Sequence, residues 1–524
     1  MWWVPNNSLL KEAGIADSFA RTQEYFDSCV TYEGPAVTPR RRDAFLKAAP
    51  VMLDCLRGQG LKVRRPRDDW PDYYDNLPGG EPQGRSIMPE PLNLKDLGEW
   101  GDALAIYPPM AHMPMPSEEF PTLFLLKRTW AGKMKALRFA MLTLKDKLTG
   151  RQTVVNGAAI QGRMLQIALR EGVNIQRNSP AKRLVVEDGR VVGVVIEQGG
   201  KEVTVRARKG VLVNVGGFAR NKEFRERVTD GPTSNEWTSA NPGDTGEMIQ
   251  AMMDIGAATD CMDTAWWVIT SRNTNGEWPE GSVWADGTVL PFMHHLDFSL
   301  PHSILVDQNG KRIANESGAY MEIGERIYQR NRETGGKAIP AWAIMDQQQR
   351  DRYPWGAMPP GKTPQSWLDS GYMKKADSLD GLAALCGIDA EGLKAEVARY
   401  NGFCETGVDE DFGSGSRRFD NVHGDPTVKP NPNLGKIEQG PFYAAAIYPG
   451  DVGTAGGVVT DEYARVLKDD GSVIPGLYAT GNSTASVFGR CYPAAGASIS
   501  AAFTFGFIAS HHMTGSNELE RILA

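Results

Sequence analysis

Hydrophobic positions recur three and four apart along much of the first 65 residues. Ala44-Phe45-Leu46-Lys47-Ala48-Ala49-Pro50-Val51-Met52-Leu53 is an example, and the spacing predicts helix there. Residues 66 to 98 break the pattern with prolines, glycines and aromatics, Trp70-Pro71-Asp72-Tyr73-Tyr74 through Pro78-Gly79-Gly80, and read as a loop. Between 124 and 148, Leu126, Trp130, Met134, Leu137, Met141, Leu144 and Leu148 fall on one helical stripe. Asn156 is positioned to cap a helix through Arg170. Alternating runs then follow: Lys182 to Glu187, Arg190 to Ile196 and Glu202 to Ala207. The turns Asp188-Gly189 and Gly199-Gly200 separate them, and the pattern is that of a β-meander. It leads into Gly210-Val211-Leu212-Val213-Asn214-Val215-Gly216-Gly217-Phe218, an apolar run of the kind that forms a strand buried on both faces. Helices are expected near 316–330 and 390–404, a strand at Gly476 to Asn482, and a Gly/Ala/Ser-rich helix from Gly496 to Ser510.

The length of 524 residues exceeds one simple core and predicts two or three domains. A net charge of -7 argues against a nucleic-acid partner. The six cysteines contain no CxxC pair, so neither a disulfide framework nor a zinc site is expected, and a reducing compartment suits them. No apolar run reaches the length of a membrane span, and a cytoplasmic enzyme is the expectation. The stripe at 124–148 modifies this picture, because Lys127, Arg128, Lys133, Lys135, Arg138, Lys145 and Lys147 surround it against the single acid Asp146. Such a helix packs its stripe on the protein's own core, which is the commoner use, or lies on an anionic membrane surface.

Three phrases carry candidate chemistry: Gly210 to Phe218, Gly310-Lys311-Arg312-Ile313-Ala314-Asn315-Glu316-Ser317, and Gly476 to Asn482 with Tyr492-Pro493-Ala494-Ala495-Gly496 behind it. In their order and spacing they resemble the flavoprotein family of fumarate reductases and 3-ketosteroid dehydrogenases. Trp3-Val4-Pro5-Asn6-Asn7, Asp72-Tyr73-Tyr74 and Asn315 to Tyr320 are similar to the Δ1-dehydrogenase branch, and the resemblance runs from residue 3 to about residue 510. It implies an α/β fold with a discontinuous, Rossmann-like FAD domain, 1–270 with 445–524, and an inserted α+β catalytic domain, 271–444. The implied reaction removes two hydrogens from carbons 1 and 2 of a 3-ketosteroid, with a quinone or dye as the final electron acceptor.

Residue roles follow from the same resemblance. The Tyr492 hydroxyl and the Gly496 N–H polarise the ketone oxygen, Tyr320 takes the carbon 2 proton, and Tyr74 hydrogen-bonds Tyr320 to favour its phenolate. Gly216, Gly217, Gly481, Asn482, Ser498 and Ile499 are the candidate FAD contacts. Glu316 is expected to be a structural hydrogen-bonding group, His294 and His295 loop residues, and the Met- and Pro-rich stretch 107–116 a lining of the entrance. A fumarate-type reductase is the rival within the family, with Arg490 and Arg312 as its candidate carboxylate clamps. The family's Gly-x-Gly-x-x-Gly loop, which seats the FAD pyrophosphate on a helix N-terminus, has no match in the sequence. This absence points to a start assigned too late or shortened, with a non-catalytic binding remnant as the alternative. As written, the chain is expected to retain flavin weakly or not at all, and tight stoichiometric flavin absorbance after purification would contradict this.

Overall fold

The computed structural model describes residues 1–111, 113–272, 283–356 and 358–524. Three helices build the N-terminal part, Ser8–Glu12, Phe19–Cys29 and Pro39–Gly58. The side chains of Asn7, Ser18 and Thr38 cap them, each accepting from a first-turn N–H. Trp2–Trp3, within the stretch expected to be helical, is instead a fully buried strand paired with Ser86–Pro89. The Trp3 ring stacks on Phe45 and meets Phe488 edge-on, so the first residues are welded to the C-terminal segment.

The meander forms as the alternation dictates, from Ala181–Glu187, Arg190–Gln198 and Lys201–Arg206 in that order across the sheet. The apolar run after it yields only the short strand Val211–Val213, which pairs in parallel with Val473–Ala479. It is an edge strand of that three-stranded sheet, which leaves Leu212 37% exposed rather than buried on both faces. A four-stranded antiparallel sheet, Ser303–Val306, Ala341–Met345, Phe442–Ile447 and Met373–Ala376 in spatial order, is drawn wholly from the stretch lying between those two parallel strands in sequence. The fold is α/β, with helix and strand mixed throughout. Among the described residues all six cysteines are free, and no helix is long and apolar enough to cross a membrane.

Two local expectations are corrected. Asn156 does not cap its helix: it is the first helical residue, at a φ of 53°, and Val155 holds the cap position. Its side-chain oxygen accepts instead from the backbone N–H and hydroxyl of Ser117. The basic helix, Trp130–Thr149, does not bury its stripe on the core. Trp130, Met134, Leu137, Met141, Leu144 and Leu148 all face outward, with exposures from 45% at Met134 to 78% at Leu148. The opposite face does the docking. Gly132 lies where a Cβ would strike the Leu125 backbone at 2.5 Å, and Ala136, Phe139, Leu142 and Thr143 are half-buried. Lys135 and Arg138 both pair with the buried Glu119. Small size and two ion pairs, rather than a broad apolar stripe, hold this helix to the protein.

Candidate active site

The turn at Tyr492 to Gly496 and the loop at Asp72-Tyr73 are tied to one backbone oxygen. The Pro493 carbonyl accepts from the Tyr73 N–H at 3.0 Å and from the Tyr25 hydroxyl at 2.6 Å. Asp72 anchors the loop from behind, accepting from the Trp3 indole and from Arg85, whose guanidinium also grips Asp17. Arg85, Asp72 and Asp17 are all buried, so each charge depends on the others. Gly496 has a φ of 86° and ends the turn where a Cβ would lie 2.2 Å from the Met1 carbonyl oxygen. Only glycine serves there. The helix Ala497–Thr514 starts at this residue, and no side chain caps it.

Tyr320 opens the helix Tyr320–Glu333. The segment before it is held by a buried ion network, in which Glu316 accepts from Arg312 and from the Leu305 N–H while Arg312 also grips Asp409. Glu316 is therefore structural, as expected from the sequence. The rings of Tyr320 and Tyr492 lie 5.5 Å apart, those of Tyr73 and Tyr320 also 5.5 Å, and those of Tyr73 and Tyr492 5.8 Å. Tyr320 thus packs against both neighbours. Burial, then the neighbouring Tyr492 and Tyr73, pushes the Tyr320 phenol well above its ordinary range, so it rests protonated.

The expected bond between Tyr74 and Tyr320 is not made. Tyr73 occupies that position, and the Tyr74 ring turns to the other side of the chain, under the Arg417 guanidinium at 5.1 Å. A cavity of about 250 Å³ opens on the cluster, lined by Tyr73, Tyr320, Tyr492, Gly496 and Ile499 and also by Trp70, Phe419, His295 and His423. Sequence reasoning missed Tyr73, His295 and His423. The only signals were Tyr73's place beside the tyrosine chosen and His295's place beside His294. His294 itself is locked in a buried chain, with Asp297 on Nδ1 and Ser271 on Nε2. Burial lowers His295 to about 4 and His423 to about 3, so both are neutral walls near neutrality. Ser117 lines the cavity, but none of the Met and Pro residues of 107–116 does, and His112 within that stretch lies outside the described residues. Among the described residues no lysine or arginine lines the cavity: Arg490 pairs with Asp263, and Arg312 is consumed by Glu316 and Asp409.

The candidate cofactor residues gather beside this cavity. Gly481, Asn482 and Ser498 line a small second cavity with Trp266 and Arg41. The Trp266 indole donates to the Asn482 carbonyl oxygen at 3.0 Å, and the Tyr492 hydroxyl lies 3.2 Å from that of Ser498. Gly216 and Gly217 flank Asn482, but their missing Cβ positions are filled by Asp244 and Thr454, so internal packing accounts for both glycines. The uncapped first turn of the helix Ala497–Thr514 leaves backbone N–H groups at Ser498 and Ile499 to an electron-rich partner. Buried hydroxyls of Ser500 and Thr504 and the Arg41 Nε also stand without partners. These donors fit the polar edge of a flavin ring.

The fold and this donor set define a flavoprotein. The chain belongs to the FAD binding domain family, which matches residues 1–499, and FAD is its cofactor. It is 38% identical to a 3-oxosteroid 1-dehydrogenase of Mycobacterium tuberculosis, covering 98% of this chain and 90% of that protein. The same identity is found with a 3-oxosteroid 1-dehydrogenase of Mycolicibacterium smegmatis, over 97% and 88% of the two chains. Its fold matches the crystal structure of 3-ketosteroid delta1-dehydrogenase from Sterolibacterium denitrificans in complex with 1,4-androstadiene-3,17-dione, with a TM-score of 0.88 and 34% identity over 98% of this chain and 91% of that one.

Proposed function

We propose that the chain is an FAD-dependent oxidoreductase that removes hydrogen from carbons 1 and 2 of 3-ketosteroids. The observation that carries this is the cavity, lined by no lysine or arginine among the described residues, on which two phenols and Gly496 converge. A neutral ketone suits such a site, whereas a dicarboxylate would need positive partners that the cavity lacks. In this mechanism the Tyr492 hydroxyl and the Gly496 N–H hold the ketone oxygen and stabilise the negative charge that grows there as carbon 2 loses its proton. Tyr320 receives that proton in its scarce phenolate form, with the ring of Tyr73, rather than Tyr74, beside it. A flavin held here would supply the hydride-accepting chemistry for carbon 1. Gly481, Asn482, Ser498 and Ile499 would hold the flavin, with Gly217 beside Asn482 and Gly216 next to it in the chain.

The same reading divides the chain into a discontinuous cofactor unit, 1–270 with 445–524, and an inserted unit, 271–444, of which residues 273–282 lie outside the described ones. It assigns a quinone, or an artificial dye, as electron acceptor, and a peripheral membrane contact to 124–148. With a 3-keto-4-ene steroid and an oxidised dye the holoenzyme is expected to turn over, and with fumarate and a reduced dye it is not. Turnover with fumarate alone would sink this assignment.

A further inference from the structure

Arg41 is a buried cation without a counter-ion. It stands in the run Arg40-Arg41-Arg42 on the first turn of the helix Pro39–Gly58, where the partial positive charge of the helix end already disfavours a cation. Its two neighbours find carboxylates: Arg40 reaches Glu462, and Arg42 reaches Asp27 and Asp43. Arg41 is 2% exposed, and among the described residues no carboxylate pairs with it. Nη1 donates to the carbonyls of Ala36 and Ala485, Nη2 donates to Ala485, and Nε has no partner.

Other buried arginines are better served. Arg85, Arg225 and Arg312 each pair with at least one carboxylate. Arg350, which lacks one, makes hydrogen bonds through Nε, Nη1 and Nη2. A charge held out of water without a partner is costly to the fold, which points to a partner supplied from outside it. Burial lowers Arg41 only to about 10, so it stays charged at neutrality.

The place of this charge is informative. Arg41 lines the small cavity that it shares with Gly481, Asn482 and Ser498. Its guanidinium lies 5.0 Å over the ring of Phe505, on the helix Ala497–Thr514, whose uncapped first turn meets the same cavity through Ser498. Among the described residues no aspartate or glutamate lines that cavity. Two sources of positive potential thus act on one place, and no carboxylate in its wall opposes them. A flavin gains negative charge during the reaction. The hydride from carbon 1 brings two electrons and a proton to N5, the substrate's other proton goes to Tyr320, and the added charge settles on N1 and the C2 oxygen of the ring. We infer that Arg41 sets the reduction potential of the bound flavin, its unpaired charge stabilising the negative charge that the ring acquires with the hydride. The inference rests on the flavin seat proposed above and on no particular substrate.

The test uses the protein saturated with FAD. Arg41→Gln keeps an amide for the nearby carbonyls and removes the charge, whereas Arg41→Lys keeps the charge. Sulfite is the probe, because it adds to N5 of the oxidised ring and leaves negative charge on the same N1 and C2 oxygen. Arg41→Gln is expected to bind sulfite about tenfold more weakly than wild type, and its two-electron midpoint potential to fall by about 30 mV, the same factor for such a couple. Arg41→Lys should stay near wild type in both. With a ketosteroid and an oxidised dye, Arg41→Gln should lower kcat and kcat/KM equally, because the charge acts only as the hydride moves.

Wild-type sulfite affinity and potential in Arg41→Gln would overturn the inference even if that variant lost stability or flavin, since Arg41 would then only hold the fold or the cofactor. So would a wild type that forms no sulfite adduct, an outcome that needs no variant to fold. If potential and sulfite affinity shift as expected but no steroid is turned over, the substrate reading fails and the role of Arg41 stands. Steroid turnover with an unshifted potential gives the reverse.

Discussion

Replacing Tyr320 by Phe is expected to lower steroid-dependent dye reduction by about 10²- to 10⁴-fold, the usual contribution of a positioned proton acceptor. Flavin content and the thermal midpoint should stay near wild type, because the ring keeps its contacts with Tyr73 and Tyr492 and only the hydroxyl is lost. The neighbouring pair supplies the discriminating control. Tyr73→Phe removes the hydroxyl of a ring packed beside Tyr320, so it should slow turnover and shift the pH profile. Tyr74→Phe leaves a ring under Arg417 and should do neither. Equal effects at 73 and 74 would contradict the geometry.

The pH dependence has a definite sign. Burial raises Tyr320 well above the ordinary phenol value, so its base form is scarce at neutrality, and kcat/KM is expected to climb with pH without levelling off near 7. Stability should run the other way. Tyr25, Tyr73, Tyr74 and Tyr400 are raised with Tyr320 because burial disfavours the phenolate. A group raised on folding contributes fully below its unfolded value of about 10 and loses that contribution as pH rises through the folded value. Alkaline conditions should therefore favour turnover and erode the fold together.

The second large effect is structural. Arg85 is completely buried between Asp72 and Asp17, and Asp72 adjoins Tyr73, which lines the cavity. Arg85→Ala would strand two buried carboxylates, at a cost of about 3–5 kcal/mol. Chemical denaturation followed by tryptophan fluorescence should register this, since Trp3 donates to the same Asp72. The variant should also lose activity out of proportion to its unfolded fraction, because the loop carrying Tyr73 loses its anchor. A change within 1 kcal/mol would show that the cluster is not a supporting element.

Local chemistry was readable in the chain wherever one residue type satisfies a unique demand. The Asp188-Gly189 and Gly199-Gly200 turns set the meander, and Tyr320, Tyr492 and Gly496 stood out through the phrases around them. Only the folded chain could choose between neighbours. Successive residues of a loop present their side chains in different directions, so Tyr73 rather than Tyr74 meets Tyr320 once the Pro493 carbonyl fixes the backbone. Asn156 answers Ser117 instead of its own helix for a similar reason, the partner being distant in sequence.

The same ambiguity governs the helix at 130–149, which has an apolar ridge on one side and small or half-buried groups on the other. Hydrophobic spacing ranks the ridge as the inner face. The ion pairs of Lys135 and Arg138 with Glu119, and the close fit of Gly132, reverse that ranking. Hydrophobicity along a sequence says which positions gain by leaving water, but not which surface receives them. That choice depends on contacts between segments far apart in the chain, and only the tertiary structure makes it.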